Sequence, residues 1–268
     1  MGVFYETIPE SLKPWILEQQ MLWVGTAPLS GDGHINISPK GGDNFGILSP
    51  SSFWYMDLSG SGIETHAHLH EPGNARICVM FLAFVGPPRI VRLWGKGRAL
   101  ENGTPEYSSF IATHKVPTKP GSRSIILIDI DQCATSCGFS VPYYDFVAHR
   151  PILDEHFAKK EEQFKQGNEK ESMDYYWSWK SQLSIDGLPG MKRGYTYAMK
   201  NGTKPLKKMV GKAGEKVERN MALYRRRPIG ALHLFMVLVL GMVIGGAAAL
   251  SFVTPESLSA WRMKGGLL

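Results

Sequence analysis

Cysteine is scarce in this chain: Cys78, Cys133 and Cys137 are its three, an odd count that gives no disulfide framework. Were Cys133 and Cys137 on one strand, their Cα atoms would stand about 13 Å apart at roughly 3.3 Å per residue, too far for a bridge. Buried thiols in a reducing compartment are the expectation. The N-terminus lacks the charged and apolar regions of a signal peptide, and no internal repeat is evident. Excess positive charge is also missing from most of the chain. The formal net charge is +6, yet residues 192–227 hold twelve Lys and Arg against Glu215 and Glu218, and residues 229–268 add +1, which leaves −5 for residues 1–191. A mildly acidic body with a basic tether excludes a nucleic-acid groove as the natural reading.

Charge vanishes altogether from residues 231–253, a run of Leu, Val, Met, Ala and Gly. As a helix it would extend about 33 Å, enough to cross a bilayer. Lys212, Lys216, Arg219 and Arg225, Arg226 and Arg227 precede it, against Arg262 and Lys264 beyond. The positive-inside rule then puts the main domain in the cytosol, held by a single-pass C-terminal anchor inserted after translation. The sequons at Asn36, Asn102 and Asn201 are expected to stay bare. Gly241, Gly245 and Ala249 recur every fourth residue, a small-residue face on which two such helices could pack.

What the chain does contain, from His34 onward, is a set of segments suited to an anion: Ser38-Pro39-Lys40-Gly41-Gly42 as a polar turn, Gly60-Ser61-Gly62-Ile63-Glu64-Thr65, and Gly86-Pro87-Pro88-Arg89. Ser61-x-x-Glu64 reads as a capping box opening a helix whose N–H groups, with Lys40 and the hydroxyls of Ser38, Ser61 and Thr65, could converge on a phosphate. The plainer alternative is that Ser61 caps a short helix and Lys40 is a solvated turn lysine.

Ser11 starts a first helix that ends near Gln20. Residues 21–27, 34–38, 52–57, 76–84, 90–100 and 124–135 then read as strands, rich in β-branched and aromatic residues and bounded by Gly, Pro, Asp and Ser. Short helices are expected at 63–70 and 105–113, a tight turn at Ser30-Gly31-Asp32-Gly33, and a charged helical stretch from 151 to about 180. Many strands with few helical crossovers predict a mainly β (α+β) antiparallel barrel with flanking helices. The expected organisation is a barrel with a helical extension over 1–191, a basic linker over 192–228, a transmembrane helix over 229–254 and a short tail over 255–268.

These residues resemble the pyridoxamine phosphate oxidase-like flavoproteins, whose fold is an FMN-binding split β-barrel. The resemblance rests on His34-Ile35-Asn36-Ile37-Ser38-Pro39-Lys40-Gly41, on 55–65, on Gly86-Pro87-Pro88-Arg89-Ile90 leading to Gly95-Lys96-Gly97-Arg98, on Thr135-Ser136-Cys137-Gly138-Phe139 and on Ser184-Ile185-Asp186-Gly187-Leu188-Pro189-Gly190. It implies a homodimer with FMN at the subunit interface. Carried over, Asn36, Ser38, Lys40, Ser61, Gly62 and Thr65 are the FMN-binding residues, with Arg76 and Arg92 as weaker members. The Arg-Arg-rich turn and the C-terminal aromatic and arginine pair of the true pyridoxamine phosphate oxidases are both missing, so that reaction is not expected.

An FMN-dependent oxidoreductase acting on a small or lipophilic molecule follows, with no catalytic residue assigned because the flavin carries the chemistry. A non-enzymatic flavin- or haem-binding protein is the alternative, as is a membrane-tethered interaction module. His66 and His70 share a helix face while His68 points away, so no metal site is expected of the three histidines.

Overall fold

Alternation of apolar and polar residues produces the sheet. In β2 (Met21–Thr26) Leu22, Val24 and Thr26 face inward; in β6 (Arg76–Leu82) Ile77, Val79 and Phe81 do so, and in β7 (Ile90–Glu101) Val91 and Leu93. A computed structural model describes residues 2–209, 211–212, 214–215, 217–219, 239 and 242. Among them eight strands form one antiparallel sheet. The other five are β1 (Val3–Tyr5), β3 (Asn36–Gly41), β4 (Phe45–Ser49), β5 (Ser52–Leu58) and β8 (Ser122–Ser136). Neighbours run β3-β2-β6-β7-β8-β5-β4, with β1 also pairing β8. This curled antiparallel sheet with flanking helices is consistent with the split-barrel expectation.

β8 is the longest strand and is buried on both faces over its first half, because two cores meet across it. Ile126, Ile128 and Ile130 join the main core with Phe53, Tyr55 and Phe81, while Ile125 and Leu127 turn to Met56, Tyr107 and Phe110 under α3 (Pro105–His114). Phe45, Phe53 and Phe81 pack as a trio of tilted and edge-to-face rings with centroids 5.8–5.9 Å apart. Thr104 caps α3, accepting from the Tyr107 N–H. A kink between Trp94 and Gly95 brings β7 so near β8 that a Cβ at Gly95 would meet the Asp129 carbonyl oxygen at 2.0 Å.

Elsewhere the elements are α1 (Lys13–Leu17), α2 (Glu64–His70), α4 (Ile152–Lys165), α5 (Met173–Lys180) and α6 (Lys192–Asn201). The first helix starts at Lys13 without a side-chain cap, after a short 3₁₀ turn at Glu10–Leu12 that follows Pro9, so Ser11 does not open it. Residues 38–41 belong to β3 rather than to a turn. Pro39 is tolerated there because β3 is an edge strand, and the turn begins at Gly42, whose φ is +97°.

α6 departs most from expectation. Its basic composition predicts part of a linker over 192–228, but residues 192–201 form a helix that packs on α5 within the unit Met1–Met221. Glu101, at the end of β7, accepts from the Lys192 and Arg193 N–H groups at 2.8 and 3.0 Å and so caps α6. Arg193 then grips Asp174 through Nε and Nη2, and its guanidinium stacks 5.0 Å from the Trp177 ring. Gly194 permits the close crossing, since a Cβ there would meet the Trp177 carbonyl oxygen at 2.7 Å.

No helix among the described residues is long and apolar enough to cross a membrane. The 231–253 segment expected to do so lies outside the described residues, Val239 and Met242 excepted. All three cysteines are free, but Cys137 is exposed and only Cys133 is fully buried, which pushes the Cys133 thiol up to about 11.

Candidate functional site

β3 presents Asn36, Ser38 and Lys40 on one face by its two-residue period, and the loop from β5 into α2 lies against that face. Asn36 Nδ2 donates to Thr65 Oγ1 at 3.2 Å, and Ser38 Oγ donates to Asn36 Oδ1 at 3.2 Å. Five of the six expected FMN residues are therefore near neighbours: Asn36, Ser61 and Gly62 line one cavity of about 580 Å³, and Thr65 and Ser38 hold the Asn36 amide from either side. Glu64, Ile185, Lys207 and Lys208 complete much of its wall. Lys208 Nζ donates to the Leu183 carbonyl at 3.0 Å and stands 3.8 Å from Glu64 Oε1. Burial pulls its ammonium below the ordinary lysine value, with Glu64 opposing.

Lys40 is set in a buried charge cluster. Its Nζ donates to Asp57 Oδ1 at 2.8 Å, Arg123 Nε donates to Asp57 Oδ2 at 2.6 Å, and His66 Nε2 lies 3.3 Å from that same oxygen. Burial alone would raise the Asp57 carboxyl, but Arg123, then Lys40 and His66, outweigh it and hold the group well below the usual carboxylate range. Two cations on one carboxylate leave this cluster with one positive charge in excess. Arg123 also fixes the cavity wall, donating from Nη1 to the Gly62 carbonyl at 2.7 Å.

The capping box does not form. Ile63 precedes α2 with no side-chain cap, and Glu64, itself the first helical residue, folds back to accept from the Ile63 and Ile185 N–H groups at 2.8 and 3.3 Å. The Gly86-Pro87-Pro88-Arg89 segment is an exposed hairpin between β6 and β7, and the Arg89 guanidinium stacks on Trp15 at 5.4 Å instead of joining the cavity. Arg76 donates to Asn74 and to the Pro28 carbonyl, and Arg92 to Ser136.

The three histidines divide as the helix geometry requires. His68 is buried against Thr26, its Nδ1 2.9 Å from the hydroxyl, and burial lowers its pKa despite Asp186, Glu71 and Glu64. His66 and His70 share the other face with ring centroids 5.6 Å apart. His70 Nδ1 donates to the Gly190 carbonyl at 2.9 Å; burial, then the neighbouring His66, lowers its pKa. Sequence reading missed Asp57, Arg123, Glu101, Lys207 and Lys208. Arg123 had one signal, a charge flanked by serines at the head of the most apolar strand.

No protein-family model matches the chain. The chain is 38% identical over 205 residues to ustO of Aspergillus flavus, a pyridoxamine 5'-phosphate oxidase family protein; the match covers 71% of this chain and 78% of that one. Among solved structures, HupZ of Group A Streptococcus is 17% identical, with 47% of this chain and 91% of that chain covered at a TM-score of 0.36. An FMN-binding protein from Syntrophomonas wolfei is 12% identical, with 46% and 80% covered at a TM-score of 0.32.

Proposed function

We propose, because the chain belongs to the pyridoxamine 5'-phosphate oxidase family, that it is an FMN-dependent oxidoreductase acting on a small or lipophilic substrate. The observation that carries the reading is the cavity bounded by Asn36, Ser61 and Gly62 on one side and by Lys207 and Lys208 on the other. Its donors suit a phosphate: Lys207 and Lys208 outnumber the one carboxylate, Glu64, and the second amide hydrogen of Asn36 joins the Ser61 hydroxyl beside a glycine-rich turn. At about 580 Å³ it falls within the usual range for a small-molecule site, roughly 300–1,000 Å³. Bound there, a flavin supplies hydride or electron transfer. The protein's share is position and electrostatics. Arg123 holds the Gly62 carbonyl, Thr65 and Ser38 orient the Asn36 amide, and Asp57 holds the Lys40 ammonium behind it.

The working form in this reading is a homodimer with the flavin at the subunit interface. Support comes from residues 139–147, where Phe139, Tyr143 and Val147 are 83%, 80% and 93% exposed, an apolar stretch that a second copy would cover. The reading also has the apolar run at 231–253 anchor the chain in a membrane with this domain on the cytosolic side. Asn36, Asn102 and Asn201 fit that side, since each spends its amide N–H₂ on a hydrogen bond that a glycan would disturb.

The visible absorption spectrum of the purified full-length chain tests the proposal, followed by release and identification of the chromophore. A two-banded flavin spectrum that yields FMN, with weaker FMN retention in Lys208→Ala, is the expected result. A colourless protein that takes up no added FMN refutes it.

A further inference from the structure

We propose that His66, His70 and Glu101 form a divalent transition-metal site, with zinc its natural occupant, separate from the flavin reading above. The three side chains converge from two elements: His66 and His70 lie one turn apart on α2, and Glu101 ends β7. One ligand atom from each of the three side chains lies within 4.8 Å of the other two, and His70 Nε2 stands 3.8 Å from Glu101 Oε1. His-x-x-x-His on a helix is the spacing that puts two imidazoles on one metal.

The hydrogen bonds behind the cluster set both imidazoles in the tautomer a metal needs. A carbonyl can only accept, so His70 carries its proton on Nδ1, toward Gly190, and its Nε2 lone pair points at Glu101 Oε1, 3.8 Å away. His66 Nε2 lies 2.8 Å from Ser124 Oγ, a hydroxyl that can accept, and 3.3 Å from the Asp57 carboxylate, which can only accept; with the proton on Nε2 toward these two oxygens, Nδ1 is a bare lone pair. That Nδ1 is buried and has no hydrogen-bond partner among the described residues, in a side chain with 0% exposure. A buried nitrogen without a partner is costly, and a metal ion would satisfy it.

Glu101 is prepared in the same way. Its two oxygens accept from the Lys192 and Arg193 N–H groups, which fix the carboxylate plane and leave Oε1, 3.8 Å from His70 Nε2, with a second lone pair to give. Two imidazoles and a carboxylate form a borderline donor set of the kind zinc prefers. Zinc bonds of about 2.0–2.1 Å would bring the ligand atoms to about 3.3 Å of one another, a contraction that rotation of three side chains can share. The His70 side chain keeps 15% of its surface open, which gives the ion a way in and leaves room for water as a fourth ligand. So bound, the metal would clamp α2 to the end of β7 and, through Glu101, to the start of α6.

The test uses the full-length chain, stripped with a chelator, dialysed and titrated with zinc alone. Wild type and His68→Gln, whose imidazole sits on the opposite face, should each retain one zinc per chain. His70→Gln and Glu101→Gln should bind it at least about tenfold more weakly, since even outer-shell partners are worth 10–100-fold. X-ray absorption of the zinc-loaded wild type should show nitrogen and oxygen neighbours at about 2.0–2.1 Å with the outer-shell signal of imidazole. That measurement holds if a variant fails to fold. Absence of stoichiometric zinc in the wild type, an absorption spectrum without imidazole, or equal zinc retention in a folded His70→Gln variant would overturn the assignment. Flavin content, read on the same samples, reports on the flavin reading alone.

Discussion

Replacing Asp57 by Asn should be among the most damaging single changes open to this protein. The side chain is fully buried, and it faces a guanidinium at 2.6 Å and an ammonium at 2.8 Å. The Arg123 side chain is only 4% exposed, so it keeps its charge without water when the carboxylate goes, whereas Lys40 at 22% can recover some hydration. Breaking a buried pair from one side costs about 3–5 kcal/mol, and partial rehydration of Lys40 places this case at about 3–4 kcal/mol. For a unit of this size each kcal/mol moves the midpoint by about 2–4 °C, so thermal unfolding of Asp57→Asn should fall by roughly 6–16 °C. Adding Arg123→Met removes the stranded charge and should recover part of the loss, a non-additivity that a double-mutant cycle reads directly. Because the folded carboxyl lies below its unfolded value, its stabilisation is present above about pH 3.9 and is lost as pH falls through the folded value. The gap between wild type and Asp57→Asn should therefore close only in strong acid. A midpoint within about 2 °C of wild type, or strictly additive losses in the double variant, would refute the reasoning.

Two further outcomes follow from packing and protonation. Gly95→Ala should lose at least about 1–3 kcal/mol in urea unfolding, because its Cβ would meet the Asp129 backbone oxygen and no side chain can yield there; a neutral effect would show that the strand crossing relaxes freely. His68 and His70 have folded pKa values below the ordinary one, so the unfolded chain takes up their protons first as pH falls. Stability should be fully present above about pH 6.5 and decline below it, and His68→Gln should flatten that slope; superimposable pH profiles would contradict the burial argument.

Strands were legible wherever one face is buried, because alternation of side chains is a local property. β4 escaped notice because Phe45-Gly46-Ile47-Leu48-Ser49 is short and interrupted by glycine. The basic composition of α6 predicts a tether, and the features that anchor it lie far away in sequence: Glu101 receives its first N–H groups and Asp174 its arginine. The candidate site divides along the same line. Asn36, Ser61, Gly62 and Thr65 sit on neighbouring segments whose resemblance to a family could be seen residue by residue. Asp57, Arg123 and Glu101 are ionisable residues inside apolar surroundings, and such residues become intelligible only once their partners are in place. Likewise Ser61-x-x-Glu64 has the spacing of a capping box, yet helix α2 starts too late for Ser61 to serve it.

The contact between His34 and Asp186 sets a clock on synthesis. The His34 N–H and Nδ1 both meet the Asp186 carboxylate across 152 residues of chain. At about 5–20 residues per second, His34, just ahead of the edge strand, waits roughly 8–30 s for Asp186 to leave the ribosome. Lys207 and Lys208, which finish the cavity wall, emerge later still. The nascent barrel thus spends that interval with an unfinished pocket, the period in which a chaperone has the most to hold.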